Sequence, residues 1–178
     1  MNVILKEGVH AFTVQNVADK AGVSHRTVYR HFPSREALLE GLSDAVHESA
    51  LAAGMVVPTN VAEMRTHVGH LFEQFSRMQD AMRATVIAAV ALGFQTAMQR
   101  RTSTAIVDML VAAHPRLPRE ELVDAGAILR TLVSRYGWYV LRVDLDLKPA
   151  QTIRAATWAI GALLDDLKRR NEAAVPKK

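Results

Sequence analysis

The sequence predicts an all-α chain in two parts, an N-terminal helix-turn-helix segment with a truncated first helix and a larger helical body. Three observations carry this prediction. Apolar residues recur at intervals of three and four along most of the 178 residues, and no stretch alternates as a half-buried strand does. Two short helical patterns meet at Gly22, the second opened by Ser24. The remaining breaks fall where Gly or Pro punctuates the chain: Gly54 to Pro58, His114 to Pro118, and Asp144 to Pro149.

Taken in order, Val3, Ile4 and Leu5 read as the last turn of a helix that Gly8 ends. A piece this short does not hold alone, and the expectation is that further residues precede Met1 in the native protein. Thr13 is placed to cap a helix from Val14 to Ala21, with Val14, Val17, Ala18 and Ala21 on its inner face. Gly22 supplies the positive φ of a reversal, Val23 is expected to plug the corner, and Ser24 caps the next helix. On that helix Val28 and Phe32 point inward, four residues apart. Arg26, Thr27 and Arg30 fall on the opposite side, with Tyr29 and His31 flanking and His25 in the first turn.

The outward face is chemically one-sided. Lys20, Arg26, Arg30 and Arg35 are fixed cations, His25 and His31 accompany them, and no carboxylate lies between residues 20 and 35. A solvated hairpin can carry such charges for solubility alone. Combined with the glycine corner, the cap and the inward apolar pair, the acid-free face points to a polyanion, and a basic helix of this kind suits the major groove of double-stranded DNA.

These residues carry a family resemblance. Ala21-Gly22-Val23-Ser24, followed by Thr27-Val28-Tyr29-Arg30-His31-Phe32-Pro33-Ser34-Arg35-Glu36-Ala37-Leu38, resembles the signature of the TetR family of bacterial transcriptional regulators, and Gly8 to Thr13 resembles the turn before it. The motif covers the first forty-odd residues. The resemblance implies a homodimer whose N-terminal heads read a palindromic operator, and whose helical bodies bind a small molecule that releases the DNA. It implies base contacts for His25, Arg26 and Arg30, since arginine can grip guanine bidentately. It implies phosphate contacts for Thr27, Tyr29 and His31, which set register without reading sequence. Arg35 stands where the family commonly has lysine and is expected to hold phosphate too. Thr13 has two readings, a plain helix cap and a further phosphate contact.

Beyond Pro33-Ser34, a helix from Arg35 to about Ala53 turns Leu38, Leu39, Leu42 and Val46 inward. The division is expected near its middle, with residues 1–45 as the DNA-binding domain and 46–178 as the ligand-binding and dimerisation domain. Thr59 or Asn60 caps the next helix, which runs to about Gln79 with Val61, Met64, Val68, Leu71, Phe72 and Phe75 at core spacing. Residues 80 to 113 read as two helices divided near Gly93 to Thr96. The last two patterns are Leu122, Ala125, Leu129, Leu132, Tyr136 and Val140, then Ile153, Ala156, Ile160, Leu163 and Leu167. Such stripes fit either an intramolecular core or half of a four-helix bundle completed by a second subunit. A single reading head contacts too little DNA to be selective. That favours the dimer, with Leu129, Leu132, Tyr136, Ala156, Ile160, Leu163 and Leu167 at its interface.

A largely apolar inducer is expected among Phe72, Phe75, Met78, Met82, Phe94, Met98 and Trp138, because methionines and aromatics line adaptable pockets. Each is also an ordinary core residue. Arg130, Arg135, Tyr136 and Tyr139 offer a polar contact, with nothing to choose among them. His67 and His70 stand three apart, but no cysteine or suitably spaced carboxylate completes a metal site, so no metal or cofactor is expected. No phosphate-binding glycine loop, nucleophile elbow or His-Glu zinc motif occurs, which excludes the common enzyme classes. Asp165-Asp166 reads as a helix surface. The net charge of +4 comes from 22 Lys and Arg against 18 Asp and Glu, so positive potential is local. The absence of cysteine fits a reducing cytoplasm. The apolar run from Val86 to Phe94 is too short to span a bilayer, so no membrane is expected among the partners. The competing reading is a DNA-binding protein with no ligand.

Overall fold

The computed structural model describes residues 2–52, 54, 58–93 and 96–174. It contains ten α-helices, and no strand occurs among the described residues. In chain order they are α1 (Asn2–Glu7), α2 (Val14–Ala21), α3 (His25–His31), α4 (Arg35–Ala52), α5 (Val61–Arg77), α6 (Gln79–Leu92), α7 (Ala97–Ala113), α8 (Arg119–Leu132), α9 (Arg135–Tyr139) and α10 (Pro149–Ala173). A 3-10 turn (Val9–Ala11) follows α1, and a π-helical turn (Val140–Asp144) follows α9.

The chain divides into two compact units. The first comprises Met1–Gly54 and Met78–Met98, the second Met55–Arg77 and Gln99–Lys178. In the first, Val3, Ile4, Val9, Phe12, Ala18, Val28, Leu38 and Leu39 bury together, and the segment's own helices do not complete that core. Ala84 and Ala88 of α6 do, because their small side chains let that helix lie close. Val86 is likewise buried, while Val90 of the same apolar run is 64% exposed.

The second unit is built on α5 against α10, with α8 and α9 beside them. Met64, Val68, Phe72 and Phe75 of α5 bury with Leu122 and Leu129 of α8, Trp138 of α9, and Ala156, Ile160 and Leu167 of α10. Asn60 caps α5: its side-chain oxygen accepts from the Glu63 N–H at 3.1 Å, and the Glu63 carboxylate returns to the Thr59 N–H at 2.8 Å. The expected single helix through Leu122 and Val140 is two. Val133 ends α8, and the Ser134 hydroxyl accepts from the N–H groups of Tyr136 and Gly137 at 3.1 and 3.0 Å, starting a new helix.

That break belongs with a larger correction. Leu129, Ala156, Ile160 and Leu167 were expected to face a partner subunit, and all four lie buried in this chain's own second unit. Leu132 and Leu163 are half-buried, and Tyr136 alone of the seven is exposed. Periodicity reports that a helix has an apolar face and is silent about which surface covers it. Here α5 supplies much of the cover for α10.

Candidate DNA-reading surface

The corner between α2 and α3 is built from local chemistry. The Thr13 hydroxyl accepts from the Asn16 N–H at 3.2 Å and caps α2. Gly22 takes φ 66° and ψ 28°, the left-handed conformation that ends a helix without a Cβ penalty. The Ser24 hydroxyl accepts from the Thr27 N–H at 3.1 Å, and the two hydroxyls lie 2.7 Å apart. Val28 is then buried and Phe32 half-buried. The ring of Phe32 sits against Gly41 of α4, where a Cβ would come within 2.5 Å of it. A glycine at 41 therefore lets α3 seat closely on α4. Val23 does not plug the corner as expected. It is 45% exposed, and Ala18 and Val28 close that part of the core instead.

This scaffold presents His25, Arg26, Thr27, Tyr29, Arg30 and His31 to solvent together. The His25 and Tyr29 rings stand 6.4 Å apart, one helical turn along the same face. Arg30 Nη2 lies 3.5 Å from His31 Nε2. No ion pair forms with Arg26 or Arg30 among the described residues. The face thus offers two unneutralised guanidiniums, two imidazoles and two hydroxyls, a donor-rich surface suited to phosphate and base edges.

Two placements differ from the sequence expectation. Arg35 is turned inward, donating from Nε to the Phe12 carbonyl oxygen at 3.0 Å and from Nη2 to that of Val9. Its fork ties α4 to the 3-10 turn, giving the Phe12 carbonyl a donor and the Val9 carbonyl a second one beside the Phe12 N–H. Lys20 is neutralised by Glu7 of α1 at 2.8 Å, and Asn16 donates to the same carboxylate at 2.9 Å and to the Ala11 carbonyl at 3.0 Å. Lys20 first, then Asn16, hold the Glu7 carboxyl below its usual range. Glu7 and Asn16 carried no signal in the sequence, since they pair across elements and not along one helix.

A matched family model covers residues 1–42 and describes bacterial regulatory proteins of the tetR family. Similarity extends through the body. The chain is 28% identical over 165 residues to the HTH-type transcriptional regulator BetI of Escherichia coli K12, covering 87% of this chain and 83% of that one. It is 32% identical over 143 residues to the HTH-type transcriptional regulator EthR of Mycobacterium tuberculosis H37Rv, covering 70% and 66%. The chain belongs to the TetR family of transcriptional regulators. As in other TetR proteins the helix-turn-helix implies DNA binding, and the family is non-enzymatic.

Among the residues expected to line an inducer pocket, Phe72, Phe75 and Trp138 come together in the second unit of this TetR protein. Their successive ring separations are 6.1 and 6.3 Å, and Trp138 Nε1 donates to the Ser76 hydroxyl at 3.1 Å. Met78, Met82 and Met98 belong to the first unit, where Met82 is buried. Phe94 lies outside the described residues. An open cavity of about 470 Å³ lies in the first unit, lined by Val3, Lys6, Phe12, Val17 and Lys20 among others, and none of the seven expected residues reaches it. Among the described residues no three His, Asp or Glu side chains gather as a metal site, and no single helix is long and apolar enough to cross a membrane.

Proposed function

We propose that this TetR-family chain is a cytoplasmic homodimeric repressor that binds a palindromic operator and is released by a small molecule. The observation that carries the reading is the α3 face. Arg26 and Arg30 stand exposed and unpaired on a helix whose opposite side is anchored by Val28 and Phe32. In this reading His25, Arg26 and Arg30 contact base edges, while Thr27, Tyr29 and His31 hold phosphates, with Thr13 assisting at the start of α2. Residues 1–45 act as the DNA-binding domain and 46–178 as the ligand-binding and dimerisation domain, with α6 of the latter supporting the former's core.

Dimerisation is supported by apolar side chains that this chain leaves uncovered on its last helices, among them Ile128, Tyr136 and Trp158, the last 76% exposed. Two α3 helices entering successive major grooves must sit about 34–36 Å apart. A small molecule that fits the body only at another spacing lowers operator affinity by linkage.

The test is a gel-shift and sedimentation series on the full chain with its own promoter DNA. Two subunits per palindromic duplex are expected, with affinity falling steeply as salt rises because several cations displace counterions. A monomer that ignores this DNA at low ionic strength overturns the reading. Tight, salt-sensitive binding that no metabolite weakens leaves the ligand-free DNA-binding protein in its place.

A further inference from the structure

Two arginines flank the corner between α8 and α9. Arg130 lies in the last turn of α8, and Arg135 opens α9. The corner is stiff. Ser134 caps α9 through its hydroxyl, and the Thr131 carbonyl oxygen occupies the space that a Cβ on residue 137 would need, so Gly137 lets α9 fold tightly back. The backbone therefore holds the two guanidinium stems in a defined relation.

Neither side chain is a free surface cation. Both are largely withdrawn from solvent, and the Nε of Arg130 is enclosed with no hydrogen-bond partner. Among the described residues no carboxylate forms an ion pair with Arg130. Burial pulls the Arg130 guanidinium below its ordinary range. Burial, and then the charge of Arg130, bring Arg135 down to about 10. A cation in the last turn of α8 meets the favourable end of that helix, which does not supply the hydrogen-bond acceptor that the Arg130 Nε lacks. An enclosed guanidinium whose donor has no acceptor is destabilising unless something anionic arrives to meet it.

We propose that Arg130 and Arg135 hold the anionic group, carboxylate or phosphate, of a small organic molecule. The proposal rests on the reading of the second unit as the effector-binding body, and it gives that effector a chemical class. The guanidinium fork matches a carboxylate or phosphate bidentately, and the low dielectric of the site strengthens that contact. Trp138 follows Arg135 by three residues on α9 and stands edge-on to Phe75.

Trp138 is 1% exposed and Trp158 is 76% exposed, so the full chain carrying Trp158→Phe reports on Trp138 by its fluorescence. Benzoate, phenyl phosphate and neutral benzamide serve as probes, without DNA. At least one of the two anions gives a saturable change and benzamide none, and which anion responds identifies the group. Arg130→Met weakens the responding anion by about tenfold or more, the loss of a charge-assisted bidentate contact, and Arg130→Lys falls between. Without probe, Arg130→Met melts no lower than the parent, because it removes a buried charge without a partner.

No response to either anion, an equal response to benzamide, unchanged affinity in Arg130→Met, or a marked drop in its melting temperature each overturns the proposal. Gel shifts on the parent chain, which keeps Trp158, with and without the responding anion, separate the two readings. Operator binding with no anion response removes the anion site and leaves the regulator. An anion response that leaves operator affinity unchanged keeps the site and removes its effector role.

Discussion

Two pairs of arginines in this chain live under opposite conditions. Arg26 and Arg30 stand in water on α3, with an apolar underside of Val28 and Phe32 behind them. Arg130 and Arg135 stand at the α8–α9 corner, largely withdrawn from water. The side chain is the same and the surroundings decide its chemistry. In water a guanidinium attracts polyanions at long range, weakly and under the control of salt. Out of water it acts only at contact, strongly, and demands a fitted partner. Arg35 is a third case between them. Its fork is satisfied by the Phe12 and Val9 carbonyls, so it behaves as a structural tie.

The contrast can be broken at several points. The largest effect is expected for Leu129→Ala in the body, which should lower unfolding free energy by about 2–5 kcal/mol. Denaturant melts at several protein concentrations should give the same loss, because Leu129 is buried within one chain. A loss that vanishes on dilution would return Leu129 to a subunit interface. Trp158→Ala provides the counterpart, leaving the monomer's melt nearly unchanged while weakening self-association.

Arg35→Ala comes next. Two donors to buried carbonyls are lost, worth about 1.5–3 kcal/mol of stability for hydrogen bonds to a charged group. At temperatures where the variant is folded, its operator affinity and the salt dependence of that affinity should match the parent. A reduced salt slope would show that Arg35 reaches phosphate after all. For Arg30→Ala the loss should appear in binding and not in melting, at about 1–3 kcal/mol for the cognate site and much less elsewhere. Equal weakening on every sequence would reassign Arg30 to the phosphate backbone.

The smallest effect is in pH. His114 is 5% exposed, neither ring nitrogen has a partner, and burial holds its pKa below the usual 6.5. Burial first, and then His70, do the same to His67. A depressed histidine pKa means that the unfolded chain binds more protons between the folded value and 6.5. Stability therefore rises with pH through that window and falls on acidification. Melting temperatures followed downward from pH 7 should decline less steeply in His114→Leu than in the parent. Parallel curves would show that the ring is solvated or paired.

The helices of the first unit could be read nearly to the residue. Their ends are set by short-range devices that the chain spells out, namely Thr13, Gly22, Ser24 and the inward pair Val28 and Phe32. The exposed basic face of α3 was readable for the same reason, since one helix face needs only its own residues. The body was less readable. Its stripes were correct as apolar faces, yet nothing in α8 or α10 says that α5 lies against them. Ser134 looked like one more polar residue within a continuing pattern, and its cap appears only once the chain has turned. The partners of Arg35 and Lys20 were not readable, because Phe12, Val9 and Glu7 reach them from elements earlier in the chain.

The order of residues was enough to specify the all-helical class, the positions of most helix ends and a basic, acid-free face at the second helix of the motif. These depend on interactions spanning four residues or fewer. Which apolar face is covered, which cation is neutralised and which is left enclosed without an acceptor depended on how distant segments come together. Burial and pairing are properties of the space around a side chain, and that space exists only after folding.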